Sequence, residues 1–284
     1  MITIIIVTFK SEKLIDNCIN SIDSNYKIIV VENSSDIKFK TYLESKYKNV
    51  KCILTGENLG FGAANNIGIL HAHTDHVLVL NPDAKLFPDT LDILETYVQT
   101  IDFAILGPHI LNENCNNYEN FERSKKNNEL IANNDLISVD SIRGFAMLIN
   151  KLKFKNEFFD ENFFLYMEEI DLCKRARNDN QSLFIAKKAK VTHLGGQSHD
   201  QRFNKELEIS RNWHWMWSKF YYMKKHYGFI YAFKKNLKIF LTSPLKVIFF
   251  LIILKKYKMQ IYLARFSGLF NAILGKKSSY RPKI

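Results

Sequence analysis

No acidic residue follows Glu208 in this 284-residue chain, although Asp and Glu together number 29. The first 208 residues carry a net charge of −5 and the last 76 a net charge of +16, which makes up the overall +11. A mildly acidic body therefore bears a strongly basic tail, and such a tail calls for an anionic partner. Long hydrophobic runs are missing too. The longest uninterrupted apolar stretch, residues 247–254, is eight residues, far short of the ~20 that a membrane-spanning helix needs. Cysteine is scarce: Cys18, Cys52, Cys115 and Cys173 lie far apart and form no C-x-x-C pair, which excludes a disulfide framework. Cys18, Cys52 and Cys173 sit among apolar residues and are expected to be buried, reduced thiols, as in a cytosolic compartment. There are no internal repeats. Met1 leads straight into a strand pattern with no basic segment before it, so no signal peptide is expected.

Hydrophobic residues at 46% and charged residues at 24% are those of a folded protein. Four nearly all-apolar runs, residues 2–7, 27–31, 50–54 and 77–80, read as strands covered on both faces. Helical patterns at residues 14–22, 37–47, 63–72 and 89–100 alternate with them. That alternation implies βαβ units and a parallel sheet. Further on, residues 103–106 and 142–149 read as strands, the second interrupted by Gly144, and residues 169–178 as a helix. Residues 183–185 and 190–192 look extended, and residues 203–226 form a long aromatic-rich helix. Residues 112–135, rich in Asn, Lys and Glu, read as a surface loop.

The run Val77-Leu78-Val79-Leu80 ends at Asn81-Pro82-Asp83. Pro82 cannot continue the ladder, so Asp83 lands just beyond the carboxyl edge of the sheet, where open α/β folds bind ligands. A carboxylate there can hold a divalent metal against a diphosphate; an ordinary turn is the alternative. Glu32-Asn33-Ser34-Ser35 follows another buried strand and offers acceptors to ribose hydroxyls or a pyrimidine N–H, or forms a plain turn. Asn58-x-Gly60-Phe61-Gly62-Ala63-Ala64-x-Asn66-x-Gly68 places glycines and alanines at a helix start, which favours an anion. It is not the dinucleotide G-x-G-x-x-G, and it follows the third strand.

Glu168-Glu169-x-Asp171 puts three carboxylates within four residues beside Phe164 and Tyr166. Mutual repulsion and burial both raise a carboxyl pKa and make a general base. A solvated acidic first turn, screened by Lys174 and Arg175, is the alternative. His193 opens a glycine-rich segment, His193-Leu194-Gly195-Gly196-Gln197-Ser198, and imidazole suits Mn²⁺ as carboxylates do. His71, His73 and His76 with Asp75 fall at the amino edge of the central strand and read as structural.

In this order, Thr8-Phe9, Glu32-Asn33-Ser34-Ser35, Asn58-x-Gly60-Phe61, Asn66-x-Gly68, Asn81-Pro82-Asp83, Gly144, Glu168-Glu169-x-Asp171-Leu172-Cys173-x-Arg175 and His193-x-Gly195-Gly196-x-Ser198 resemble the family 2 glycosyltransferases. The likeness is to the rhamnosyltransferase-like group that builds bacterial surface polysaccharides. It covers roughly residues 1–228, and Ala264-Arg265-Phe266-Ser267-Gly268-Leu269 resembles the same group's ending.

The resemblance implies an α/β GT-A fold, a mostly parallel Rossmann-like sheet flanked by helices, in residues 1–228. Residues 229–284 would be a basic amphipathic helical tail. It implies that Asp83 is the last carboxylate of a D-x-D motif binding Mg²⁺ or Mn²⁺, with Asn81 at its first position and His193 completing the metal site. Thr8, Glu32, Asn33, Asn58, Gly60, Asn66 and Asn81 would bind the donor with Asp83. Glu169 aligns with the family's catalytic Asp, and Glu168 or Asp171 could take part because the longer side chain shifts the carboxylate. The implied reaction is inverting transfer of a sugar, first of all rhamnose from dTDP-rhamnose, onto a lipid-linked glycan of O-antigen or capsule assembly. A UDP-sugar donor is the alternative. The departures at Asn81 and Glu169 also leave open a non-catalytic nucleotide-sugar-binding or scaffold protein.

In the tail, Phe229, Phe233, Leu237 and Phe240 recur at helical spacing, with Lys234, Lys235 and Lys238 displaced from them. A basic amphipathic segment of this kind lies on an anionic membrane surface; a helical pair packing on the body is the alternative. Its apolar content is too high for a phosphate-tracking surface, so no nucleic acid is expected. The expected location is cytoplasmic, peripheral on the inner face of a bacterial cytoplasmic membrane.

Overall fold

The structure is a computed structural model that describes residues 1–111, 116–119, 135–155, 157–194 and 204–282. By its contacts the chain falls into two compact units: Met1–Asp160 with Glu169–Asp200, and Glu161–Glu168 with Gln201–Ile284. The helix at residues 204–227, read from sequence as part of the first unit, is thereby grouped with the basic tail.

In the first unit, β1 (Ile2–Thr8), α1 (Ile15–Ile19), β2 (Lys27–Glu32), α2 (Ile37–Lys46), β3 (Val50–Leu54), α3 (Phe61–His71) and β4 (His76–Leu80) follow in βαβ order. Then come β5 (Ala84–Leu86), α4 (Thr90–Thr100), β6 (Ile105–Ile110), β7 (Tyr118–Glu119), β8 (Leu136–Ser138), β9 (Ser141–Ile142) and β10 (Ala146–Asn150). Helix α5 (Glu168–Asn178) and β11 (Leu183–His193) complete the sequence. The nine-stranded sheet has the order β3-β2-β1-β4-β10-β6-β11-β5, with β8 also on β11. β3, β2, β1 and β4 are parallel neighbours, because each is an apolar run whose two faces are covered by helices. β10 enters antiparallel beside β4, pairing Ala146 with Leu80. β6 and β11 then run in the original direction.

The two stretches read as separate extended pieces at 183–185 and 190–192 are one strand, with a register shift between Ala186 and Lys190. β11 keeps β6 on one edge across the shift, from Leu183 to Val191, and takes β8 and then β5 on the other, with His193 opposite Ala84. Two apolar layers cover the sheet. One contains Ile4, Ile6, Leu78, Leu80 and residues of α1, α2 and α4; the other contains Ile5, Val77, Val79, Ala64, Ile69 and Leu172. Cys18, Cys52 and Cys173 are buried free thiols, as expected. The residues at 112–115 and 120–134, and Gly195, Gly196 and Ser198, lie outside the described residues.

The second unit is built on α6 (Asn204–Tyr227), α7 (Phe229–Ile252) and α8 (Lys256–Ile273). Its core gathers Ile209, Trp213, Trp217, Phe220, Ala232 and Leu269. His214 pins the chain after α8: its Nδ1 meets the Ser278 hydroxyl and its Nε2 the Tyr280 carbonyl, each at 2.9 Å. A neutral ring donating from Nε2 and accepting at Nδ1 satisfies both, and burial pushes the His214 pKa down to about 3.

Within the first unit Asn66 ties α3 to the segment before α5. Its Nδ2 donates to the Phe159 carbonyl at 2.8 Å and its Oδ1 accepts from the Phe159 N–H at 2.9 Å. Asn66→Ala leaves two buried backbone groups without these partners and is expected to cost about 2–4 kcal/mol. Chemical denaturation of the purified variant should show this as a lower midpoint at unchanged slope.

Candidate active site

Asp83 is delivered by a tight turn. The Asn81 N–H donates to the Phe145 carbonyl at 2.9 Å and the Ala84 N–H to the Asn81 carbonyl at 3.0 Å, closing the chain around Pro82. The Asp83 carbonyl accepts from the Leu194 N–H at 3.1 Å. This strand pairing sets His193 against Asp83, with Nε2 at 3.1 Å from Oδ1. The imidazole lies flat on the Phe145 ring, centroids 4.2 Å apart and planes 5° apart, which fixes its rotation.

Asp83 is 6% exposed, and its second oxygen, Oδ2, is sealed from solvent with no hydrogen-bond partner. A buried carboxylate oxygen is normally satisfied. An oxygen and an imidazole nitrogen side by side are a donor set that suits Mg²⁺ or Mn²⁺. Among the described residues no group of three or more His, Cys, Asp and Glu could hold a metal; Asp83 and His193 would supply two of its ligands. His71, His73, Asp75 and His76 likewise form no such group. A cleft of about 360 Å³ opens beside Asp83, lined by Asn17, Asn20, Ser21, Lys85 and Thr192 among others.

At the ends of β1 and β2, Glu32 is 3% exposed. Its Oε2 accepts from the Thr8 hydroxyl and its Oε1 from the Ser34 hydroxyl, both at 2.6 Å. Burial raises the Glu32 pKa, against the pull of the two hydroxyls. Asn33 differs from its sequence reading as an acceptor open to the donor. Its two amide hydrogens go to Asn58 Oδ1 at 3.0 Å and the Gly60 carbonyl at 3.1 Å, and its oxygen accepts from the Leu59 N–H at 2.9 Å. Asn58 Oδ1 also accepts from the Gly60 N–H at 3.0 Å. Asn33, Asn58 and Gly60 thus lock the loop after β3 to the end of β2, with Gly60 at φ 89° where a side chain is disfavoured. Direct donor contact by Asn33 or Asn66 would break the bonds that hold the loops. Glu32 keeps lone pairs to offer.

The three carboxylates of α5 separate by environment. Asp171, fully buried, accepts from Arg175 Nε at 2.9 Å, and Arg175 in turn holds the carbonyls of Glu157 and Phe158. Asp171 is therefore committed to holding the helix in place, as are Arg177 with Asp140 at 3.1 Å and Cys173 with the Ile142 N–H at 3.5 Å. Glu168 is buried. Glu169 has one oxygen, Oε2, sealed from solvent with no hydrogen-bond partner. Burial raises its pKa, while its own N–H, that of Ile170 and the Arg143 charge restrain the rise. A Cβ on Gly144 would come within 3.2 Å of Phe61 Cε1 and 3.5 Å of Glu169 Cβ, so the Glu169 side chain rests on a position without one.

One feature escaped sequence reading. Tyr166 and Met167, just before α5, both have positive φ, 69° and 71°. Two successive non-glycine residues in that region store strain, which collects at functional sites; nothing in their residue types signals it.

Solved structures share the fold. A mannosyltransferase from Pyrobaculum calidifontis, PcManGT, in complex with GDP-Man and Mn²⁺, matches 97% of this chain and 88% of its own at TM-score 0.55 and 13% identity. TarS 1-349 from S. aureus in complex with UDP matches 100% and 94% at TM-score 0.54 and 13% identity. These neighbours are GT-A glycosyltransferases. In sequence, the low-salt glycan biosynthesis hexosyltransferase Agl10 of Haloferax volcanii is 29% identical over 225 residues, 73% of this chain and 71% of its own. Rhamnosyltransferase WbbL of Escherichia coli K12 is 29% identical over 204 residues, 62% of this chain and 76% of its own. The glycosyl transferase family 2 model matches residues 3–171, more than half of the chain and inclusive of Glu32, Asp83, Gly144 and Glu169. With that match and the GT-A sheet, the chain belongs to glycosyltransferase family 2.

Proposed function

We propose that this glycosyltransferase works by a single inverting displacement, with Glu169 as the general base and Asp83 and His193 as holders of a divalent cation. The donor is a nucleoside diphospho-sugar and the acceptor a lipid-linked glycan of surface-polysaccharide assembly. The observation that carries the reading is the buried, unpartnered Glu169 oxygen, on a carboxylate whose pKa burial raises. A carboxylate poised upward in this way takes a proton from a hydroxyl more readily near neutral pH. Asp171 is spent on Arg175 and does not compete for the role.

The acceptor hydroxyl gives its proton to Glu169 as its oxygen attacks the anomeric carbon, on the face opposite the diphosphate. One displacement inverts that carbon; retention would need a second nucleophile. Bound Mg²⁺ or Mn²⁺ supplies neutralisation of the charge that builds on the leaving diphosphate. Glu32 accepts hydrogen bonds from the nucleoside, with Thr8 and Ser34 fixing its rotamer. The likeness to rhamnosyltransferase WbbL favours dTDP-rhamnose, and a UDP-sugar is the second reading. A lipid-borne acceptor would hold the enzyme at the cytosolic face of its membrane, through the basic tail.

Calorimetric titration with dTDP and with UDP, each with and without Mn²⁺, is expected to show metal-dependent binding of one nucleotide. Asp83→Asn should weaken it by more than about tenfold, and no binding of either nucleotide would defeat the proposed donor.

Glu169→Gln is expected to lower kcat by about 10²–10⁴-fold with donor binding unchanged. Because the folded pKa lies above the unfolded one, the ionised side chain costs stability as pH rises past the ordinary carboxylate value. The Gln variant escapes that cost, so its melting temperature at neutral pH should equal or exceed the wild type's. The acidic limb of the wild-type kcat/KM profile should lie above the ordinary Glu value for the same reason.

Gly144→Ala crowds the Phe61 ring and adds a methyl in ordinary contact with Glu169 Cβ, and is expected to reduce kcat by about tenfold. Donor affinity should hold, as steady-state kinetics beside calorimetry would check.

A further inference from the structure

Helix α7 has two apolar stripes, and the fold uses one. Phe233, Ile239 and Phe240 pack on the core shared with α6 and α8, beside the buried Ala232. Of the Phe229-Phe233-Leu237-Phe240 face read from sequence, Phe233 and Phe240 pack inward while Phe229 and Leu237 are exposed. The second stripe is Ile230, Leu237, Leu241, Leu245, Ile248 and Ile252. Their steps of seven, four, four, three and four residues keep them on one side of an α-helix. All six are exposed, between 38% and 73%. The stripe runs into the turn before α8, where Leu254 is 87% exposed.

Charge identifies what covers it. Lys234 lies on the stripe and Lys238 beside it, with Lys235 and Lys246 farther round the helix. Lys255, Lys256 and Lys258 follow the turn, and no acidic residue occurs anywhere in residues 209–284. A second copy docked through this stripe would bring lysine rows together with no carboxylate to offset them. A bilayer with anionic headgroups offers apolar depth and negative charge together. None of the helices among the described residues is long and apolar enough to cross a membrane, so the helix lies in the interface.

We infer that the Ile230–Ile252 stripe of α7 is the membrane-docking surface of this protein, inserted along its length into an anionic leaflet. Lys234, Lys235 and Lys238 near one end and Lys255, Lys256 and Lys258 after the turn supply cations for the headgroups at both ends of the stripe. The inference gives a surface to the lipid-linked acceptor proposed above, yet its test needs neither donor nor turnover.

The experiment is co-sedimentation of the full chain with vesicles of phosphatidylcholine alone and with about one quarter phosphatidylglycerol. The wild type should pellet with the anionic vesicles, less so at high salt. The triple variant Leu241→Gln, Leu245→Gln, Ile248→Gln keeps every charge and changes only exposed positions. Its circular dichroism and melting temperature should match the wild type's, while its partitioning should fall about tenfold or more. Unchanged partitioning of a folded triple variant, or no pelleting of the wild type, overturns the inference. So does a wild-type dimer in sedimentation equilibrium that the triple variant dissolves, since the stripe would then face a second copy. Loss of vesicle binding with transferase activity retained on a soluble acceptor upholds the docking surface. Vesicle binding without any nucleotide binding would instead count against the donor reading alone.

Discussion

The site depends on one strand running the wrong way. β10 lies antiparallel against β4 in a neighbourhood that is otherwise parallel, Ala146 opposite Leu80. That register places the residues just before β10 at the end of β4. The Phe145 carbonyl then receives the Asn81 N–H, its ring backs His193, and Gly144 lies against Glu169 and Phe61. Two consecutive residues thus touch both the Asp83–His193 pair and Glu169. A slip of one residue would reverse the faces of the whole strand, and both supports would be lost together.

Electrostatics then distributes the labour among carboxylates that look alike in sequence. Asp171 is neutralised by an arginine one turn away and serves the framework. Glu32 is buried but held by two hydroxyls, so it keeps a fixed direction. Asp83 and Glu169 each retain one sealed oxygen that the protein does not satisfy. Leaving such an atom unmet is costly, and both oxygens lie at the candidate site. Stability is given up at both places, as is usual where function is built.

Much of this was legible in the sequence, for stated reasons. The parallel half of the sheet shows because each strand is buried on both faces and is written as an uninterrupted apolar run. Asp83 shows because Pro82 ends its strand. The pairing with His193 is not visible from spacing, since 110 residues separate them and only the end of β11 on β5 joins them. The bonds made by Asn33 and Asn66 are not visible either, because their partners, Asn58, Gly60 and the Phe159 backbone, are distant along the chain. The second stripe of α7 is not separable from the first by spacing alone, and only packing tells which apolar side is taken.

The pairing of β5 with β11 also bears on how the chain is made. Among the described residues strand β5 has no other neighbour in the sheet, so the surroundings of Asp83 cannot be completed until residue 193 is available. The βαβ units before it can form early, from local contacts, as the chain emerges. During that interval β4 is an apolar edge awaiting β10, and such an edge invites pairing with other chains. The late, long-range closure of this sheet makes slow folding the expected behaviour, and the half-made enzyme is the form most in need of a chaperone.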